Sequence, residues 1–89
     1  MDTIKLLNKL EVGIPLIVKT TWQGLTMRKV NLYAGTDGAG TYNFIDDTGV
    51  YKMTTGYIRE HCTISQELDQ DEDLFEVVKL IDKVKGGEL

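Results

Sequence analysis

The sequence predicts a single β-rich α+β domain, on three observations. Up to Ser65 it consists of short runs rich in β-branched and aromatic residues, separated by glycine turns. Beyond Ser65 an acidic stretch leads into one amphipathic helical pattern. The charges divide at the same point, since residues 1–65 carry seven Lys/Arg against six Asp/Glu and residues 66–89 carry three against eight. A near-neutral β body with an acidic helical tail follows, and 89 residues suffice for one domain with one modest core.

Each element has a local cause. Asp2 or Thr3 caps a short helix within residues 1–12, with Ile4, Leu7 and Leu10 on one face and Gly13 as the stop. This helix is expected to lie as a lid on the β body. Residues 14–22 form a first strand, with Pro15 tolerated at its beginning and Leu16, Val18, Thr20 and Trp22 alternating onto one face. Gln23-Gly24 turns the chain into a second strand, residues 26–34, whose apolar face is expected to carry Val30, Leu32 and Ala34 opposite Lys29, Asn31 and Tyr33. A loop with three glycines, Gly35, Gly38 and Gly40, precedes a third strand over residues 41–46. Asp46-Asp47-Thr48-Gly49 is a hairpin signal that leads into a fourth strand, residues 50–54. Residues 55–61 read as a tight turn or single 3₁₀ turn before a last strand, residues 62–65.

After an acidic linker, residues 66–73, the final helix is predicted over residues 74–85. Leu74, Val77, Val78, Ile81 and Val84 form its apolar stripe, with Phe75 and Leu80 flanking. Asp69 and Glu72 have capping-box spacing. Acids at the helix start and Lys79, Lys83 and Lys85 toward its end suit the dipole. The stripe is expected to dock within the molecule, with a helix-mediated or strand-edge homodimer as the alternative.

Five short strands with tight connections, too few for two stacked sheets, suggest a small bent barrel. The strand order, with Thr55-Gly56-Tyr57-Ile58 just ahead of the last strand, resembles SH3-like barrels and their Ser-Asn-Tyr-Val turn, over roughly residues 13–65. The resemblance implies a five-stranded SH3-like barrel. It does not extend to proline-peptide recognition, because the chain has no Ala-Leu-Tyr-Asp-Tyr segment and no paired tryptophans.

Composition narrows the function classes. An apolar fraction of 42% with 27% charged residues argues for a folded domain rather than disorder. One cysteine, Cys62, permits neither an internal disulfide nor a Cys-rich zinc site, so no metal or cofactor is expected. Met1 to Leu7 lacks a secretory pattern and no apolar run approaches the roughly 20 residues of a membrane span, so a cytoplasmic protein without membrane contact is expected. The net charge of −4 disfavours nonspecific binding to a phosphate backbone.

The chemistry-bearing candidates reduce similarly. His61-Cys62 suggests an activated thiol, yet neighbours on a strand point to opposite faces, which favours a structural Cys and a surface His. Asp46 and Asp47 are explained by turn chemistry. The loop holding Gly35, Gly38 and Gly40 is a possible ligand loop, although it joins strand to strand and carries no Lys. The aromatic surplus is more telling, because so small a core cannot bury Trp22, Tyr33, Tyr42, Tyr51 and Tyr57 along with its aliphatics. Trp22, Tyr33 and Tyr57, rimmed by Arg28, Lys29, Lys52 and Arg59, form the candidate interaction surface.

The expected function is a non-enzymatic protein-interaction module, a monomer or homodimer that occupies a partner surface. The general character of a small acidic protein suits a prokaryotic or phage-borne inhibitor. The alternative is a binder of a small anionic ligand or nucleotide, using the glycine loop with Arg28, Lys29, Arg59 and the tyrosines. A third possibility is single-stranded nucleic acid stacked on Tyr42 or Tyr51.

Overall fold

The chain runs α1 (Thr3–Lys9), β1 (Pro15–Trp22), β2 (Leu25–Thr36), β3 (Thr41–Asp46), β4 (Gly49–Thr54), α2 (Thr55–His61), β5 (Cys62–Ser65) and α3 (Asp71–Lys85). These elements come from a computed structural model that describes residues 3–69 and 71–87. The fold is α+β. All five strands join one antiparallel sheet of order β4-β3-β2-β1-β5, so β4 and β5 are its two edges.

One turn fixes which residues face which way. Gln23 and Gly24 both take positive φ, 50° and 80°, which makes a two-residue turn of the kind that matches strand twist. Trp22 therefore pairs with Leu25, Thr20 with Met27, Val18 with Lys29 and Leu16 with Asn31. Residues paired across a sheet share a face, so the Leu16/Val18 face of β1 continues on β2 as Met27, Lys29, Asn31 and Tyr33. The expectation that Val30, Leu32 and Ala34 line the main core is corrected here, because that register sends them to the other side.

Helices cover both faces. The main core joins Leu16, Val18, Tyr33, Tyr42, Phe44, Met53 and Ile64 to Ile4 and Leu7 of α1 and Ile58 of α2. Leu7, Leu16, Phe44 and Ile58 are fully excluded from solvent, each contributing about 1.5–3 kcal/mol by leaving water. On the opposite face Leu32 packs with Val77 and Leu80 of α3, flanked by Val30, Ile45, Leu68 and Ile81. A bulge between Tyr33 and Gly35 irregularly spaces the β2–β3 pairing. Glycine is required there, since φ at Gly35 is +96° and an added Cβ would lie 3.3 Å from Cγ2 of Val12.

The strands fall within a residue or two of expectation, β2 running on to Thr36, whereas the helices differ more. The N-terminal helix ends at Lys9 rather than at residue 12, and Met1 and Asp2 lie outside the described residues. Residues 55–61 form a full α-helix rather than a turn: Thr54 caps it by accepting from the Tyr57 N–H, and Ile58 anchors it in the core. The final helix begins at Asp71, so Asp71, Glu72 and Asp73 belong to its first turn and not to a linker. The carboxylate that reaches back from that turn is Asp73, which accepts from the Asp69 N–H at 2.8 Å; Glu72 does not take that place.

Candidate functional site

The helices do not cover the whole of the face that carries the main core. Its uncovered part, toward the β1–β2 turn, remains an open cleft of about 470 Å³. Val18 and Thr20 of β1, Met27, Lys29 and Asn31 of β2, Asp46 of β3 and residues 51–54 of β4 line it, with Tyr57 of α2. Beyond its mouth the same face continues onto Leu25 and Trp22. Trp22 is 51% exposed, Leu25 74% and Met27 59%, an unusual run of large apolar groups left in water.

The mouth is held in shape by aromatic contacts. His61 sits beside both exposed rings, its centroid 4.6 Å from Trp22 and 4.9 Å from Tyr57, and Trp22 and Tyr57 stack at 6.3 Å. His61 Nδ1 also lies 3.2 Å from the Thr21 carbonyl oxygen, tying the end of α2 to the hairpin tip. The cleft floor is polar and internally bonded. Tyr51 donates its hydroxyl to Asn31 Oδ1 at 2.6 Å, and Asn31 Nδ2 donates to the Lys29 carbonyl at 3.4 Å. Burial, helped by the Asp46 carboxylate, pushes the Tyr51 phenol well above its ordinary pKa, so it stays a donor. Lys29 donates to Asp47 at 3.1 Å and lies 3.8 Å from Asp46, and the Asp47 hydrogen bond raises its pKa.

The candidate residues are thus sorted. Trp22, Tyr57 and Lys29 converge on the cleft and its mouth. Tyr33 does not: it is 1% exposed, because the register turns it into the main core. Arg28 faces the opposite side, where its Nη1 and Nη2 donate to Asp73 Oδ1 and Oδ2 at 2.9 and 2.7 Å, with Asp69 at 3.4 Å. That two-pronged bond clamps α3 to β2 and closes one end of a groove rimmed by Asp47, Asp71, Glu72 and Glu76. The groove holds about 650 Å³, yet its carboxylates oppose an anionic ligand and its arginine is already engaged. Arg59 is exposed on α2 and is not part of the cleft lining.

The glycine loop is not an anion cradle. The Gly38 N–H donates to Thr36 Oγ1 at 3.1 Å, and those of Ala39 and Thr41 donate to Asp37 Oδ1 at 2.7 and 3.1 Å. These backbone donors hold the Asp37 carboxyl below its ordinary pKa. The loop therefore presents a fixed negative charge, and Gly35, Gly38 and Gly40 lie outside the cleft lining. Tyr42 is buried, donating to Asn8 Oδ1 at 2.9 Å, so it offers no stacking face to a base.

Cys62 lies against Thr20 Oγ1 and the Met53 sulfur, 3.7 Å from each, and burial pushes its thiol up. Such a thiol is a poor nucleophile. Asp46 Oδ1 accepts from the Thr48 N–H and hydroxyl at 2.8 and 2.6 Å, as its place in the turn requires. Among the described residues no group of three or more His, Cys, Asp or Glu side chains is placed to hold a metal ion. Nor, among the described residues, is any helix long and apolar enough to cross a membrane.

Sequence reasoning missed Met27, Asn31, Tyr51 and Met53 as cleft residues and His61 as the wedge at its mouth. The signal for the first two was present: a two-residue Gln23-Gly24 turn forces Met27 and Asn31 onto the Trp22 face. No family model matches the chain, and neither the curated proteins nor the solved structures contain a match to it.

Proposed function

We propose that the chain is a non-enzymatic protein-interaction module that takes apolar side chains of a partner protein into the cleft. One observation carries this: the exposed Trp22, Leu25 and Met27 lie on the same sheet face as an open cleft lined by Val18, Met53 and Tyr57. Exposed aromatic groups beside a preformed cleft are the usual anchors of protein interfaces. Lys29 is engaged by Asp46 and Asp47, which leaves Lys52, on the strand that bounds the cleft, to favour a partner that carries a carboxylate. Occupation of the partner's surface, rather than chemistry on it, is the mode of action. A small acidic protein with a single half-buried cysteine suits a reducing cytoplasm and a prokaryotic or phage-type source. The strand order, with α2 directly ahead of β5, supports an SH3-like arrangement whose sheet stays open between its edges β4 and β5.

Affinity capture from a source-cell lysate tests the proposal, with Met27→Glu and Phe75→Glu as paired variants. Both residues are exposed, so both variants should fold. A partner retained by the wild type and by Phe75→Glu but lost with Met27→Glu is the expected result. Retention by all three would remove the cleft as the interface.

A small molecule is the alternative occupant, favoured by the hydrogen-bonded Asn31–Tyr51 floor and a volume within the ordinary range of ligand sites. Native mass spectrometry decides, since it weighs retained ligands directly. A discrete small-molecule increment that vanishes in Tyr51→Phe supports that alternative, and a bare or protein-bound mass opposes it.

A further inference from the structure

The cleft opens beside a sheet edge with few of the usual protections. β4 is the outermost strand on that side, and its six residues pair one for one with β3 without a bulge. Natural edges are blunted by proline, bulges, inward charges or brevity. Here β4 offers only Lys52, and Val50 beside it is 60% exposed.

The direction of the backbone groups follows from the turn. Two residues separate Asp46 from Gly49, so that pair closes the hairpin by exchanging hydrogen bonds with each other. Alternation then points Gly49, Tyr51 and Met53 at β3 and leaves Val50, Lys52 and Thr54 pointing outward. The Thr54 carbonyl belongs to the first turn of α2, which it caps. The N–H and C=O of Val50 and Lys52 and the N–H of Thr54 thus form a row of open pairing groups. Side chains alternate in the same phase: Tyr51 and Met53 face the cleft, and Val50, Lys52 and Thr54 stand on the other side of the strand.

Charge adds a preference. Lys29 is engaged by Asp46 and Asp47, whereas Lys52 has no ion-pair partner among the described residues. A strand laid against β4 would set one residue across from Lys52, where a carboxylate is favourable.

We infer that the partner's contribution is an extended segment that adds to the sheet along β4, placing apolar side chains at alternate positions in the cleft and an acidic residue across from Lys52. This mode of recognition draws affinity from the main chain and selectivity from alternate side chains. It rests on the proposal that the cleft binds a protein.

The test is selection from a display library of random nine-residue peptides against the full chain, followed by affinity measurement on Lys52→Pro, Lys52→Gln and Met27→Glu. Proline at position 52 removes an outward N–H and no bond to β3, so the fold should tolerate it. The expected result is enrichment of sequences with apolar residues at every second position and Asp or Glu between them. Their binding should weaken at least tenfold in Lys52→Pro and Met27→Glu and severalfold in Lys52→Gln. Binding that falls in Met27→Glu but not in Lys52→Pro would overturn strand addition while leaving the cleft as the site. Binding untouched by either, or no enrichment, would overturn both. Self-association lost in Lys52→Pro without peptide enrichment would assign the edge to a second copy, also against the inference. Should Lys52→Pro not fold, hydrogen exchange of the wild type decides: the Val50 and Lys52 amides slow on peptide binding if a strand adds there, and unchanged exchange overturns it.

Discussion

Tyr33 brings a phenol into the main core, tilted against Phe44 with ring centroids 5.8 Å apart, and its hydroxyl has no hydrogen-bond partner among the described residues. An unpaired buried hydroxyl costs roughly 1–3 kcal/mol of desolvation, while the ring supplies the packing. Tyr33→Phe should therefore keep or raise the melting temperature, and a marked fall in a thermal scan would show that the hydroxyl has a partner in solution. Tyr51 is the contrasting case, since its hydroxyl is bonded to Asn31 and burial raises its pKa. A phenol whose pKa is higher folded than unfolded contributes stability that is complete below its ordinary value, about 10, and lost as pH rises beyond it. The carboxyls of Asp37 and Asp47 carry the opposite sign. Backbone donors lower the first and Lys29 lowers the second, so their contribution holds above the ordinary aspartate value and fades as pH falls below it. Unfolding followed across pH should show losses below about 4 and above about 10. Tyr51→Phe should reduce the alkaline loss, leaving the parts that groups such as Cys62 and Lys29 carry, and an unchanged alkaline limb would contradict the assignment.

At the level of elements, the strands were legible because β-branched runs and glycine turns are local signals. The β2 faces were not, because apolar residues occur on both and only the register to β1 decides between them. Val30, Leu32 and Ala34 look like a core face until the Gln23-Gly24 turn pairs Leu16 with Asn31 and brings Tyr33 inward. The apolar pattern of the final helix points in part to the wrong side for a related reason. Its stripe runs through Leu74, Val77, Val78, Ile81 and Val84, whereas the buried residues are Asp73, Val77 and Leu80, and Leu74, Val78 and Val84 are exposed. A carboxylate on the inner face is invisible to apolar periodicity, and only Arg28 across the interface makes it favourable. The two sides of the helix should consequently respond differently to truncation. Leu80→Ala, at 2% exposed, should cost about 2–5 kcal/mol in denaturant unfolding. Leu74→Ala, at 53%, should stay within roughly 0.5 kcal/mol. Equal costs would mean that the helix docks through another face.

Across the whole molecule, one sheet separates two unequal clusters. The face against α3 is closed by a small apolar patch and the Arg28 clamp, while the other is closed by α1 and α2 only as far as Ile58 and Met53. The uncovered remainder is the cleft, built by a rigid sheet and framed by the Trp22, Tyr57 and His61 rings. The cleft itself was not readable from the sequence, since it arises from where short helices stop covering a sheet, although Trp22, Tyr57 and Lys29 stand out there as candidates. The aromatic surplus did foretell that some rings would face water, and Trp22 and Tyr57 do. Mapping by NMR which backbone amides shift when a peptide selected against the chain is added tests the central claim most directly. Shifts are expected to concentrate at Thr20, Met27, Asn31, residues 50–54 and Tyr57, with the Trp22 indole following. Shifts confined to the outer side of α3 at Leu74, Phe75 and Val78, or to residues 35–40, would contradict it.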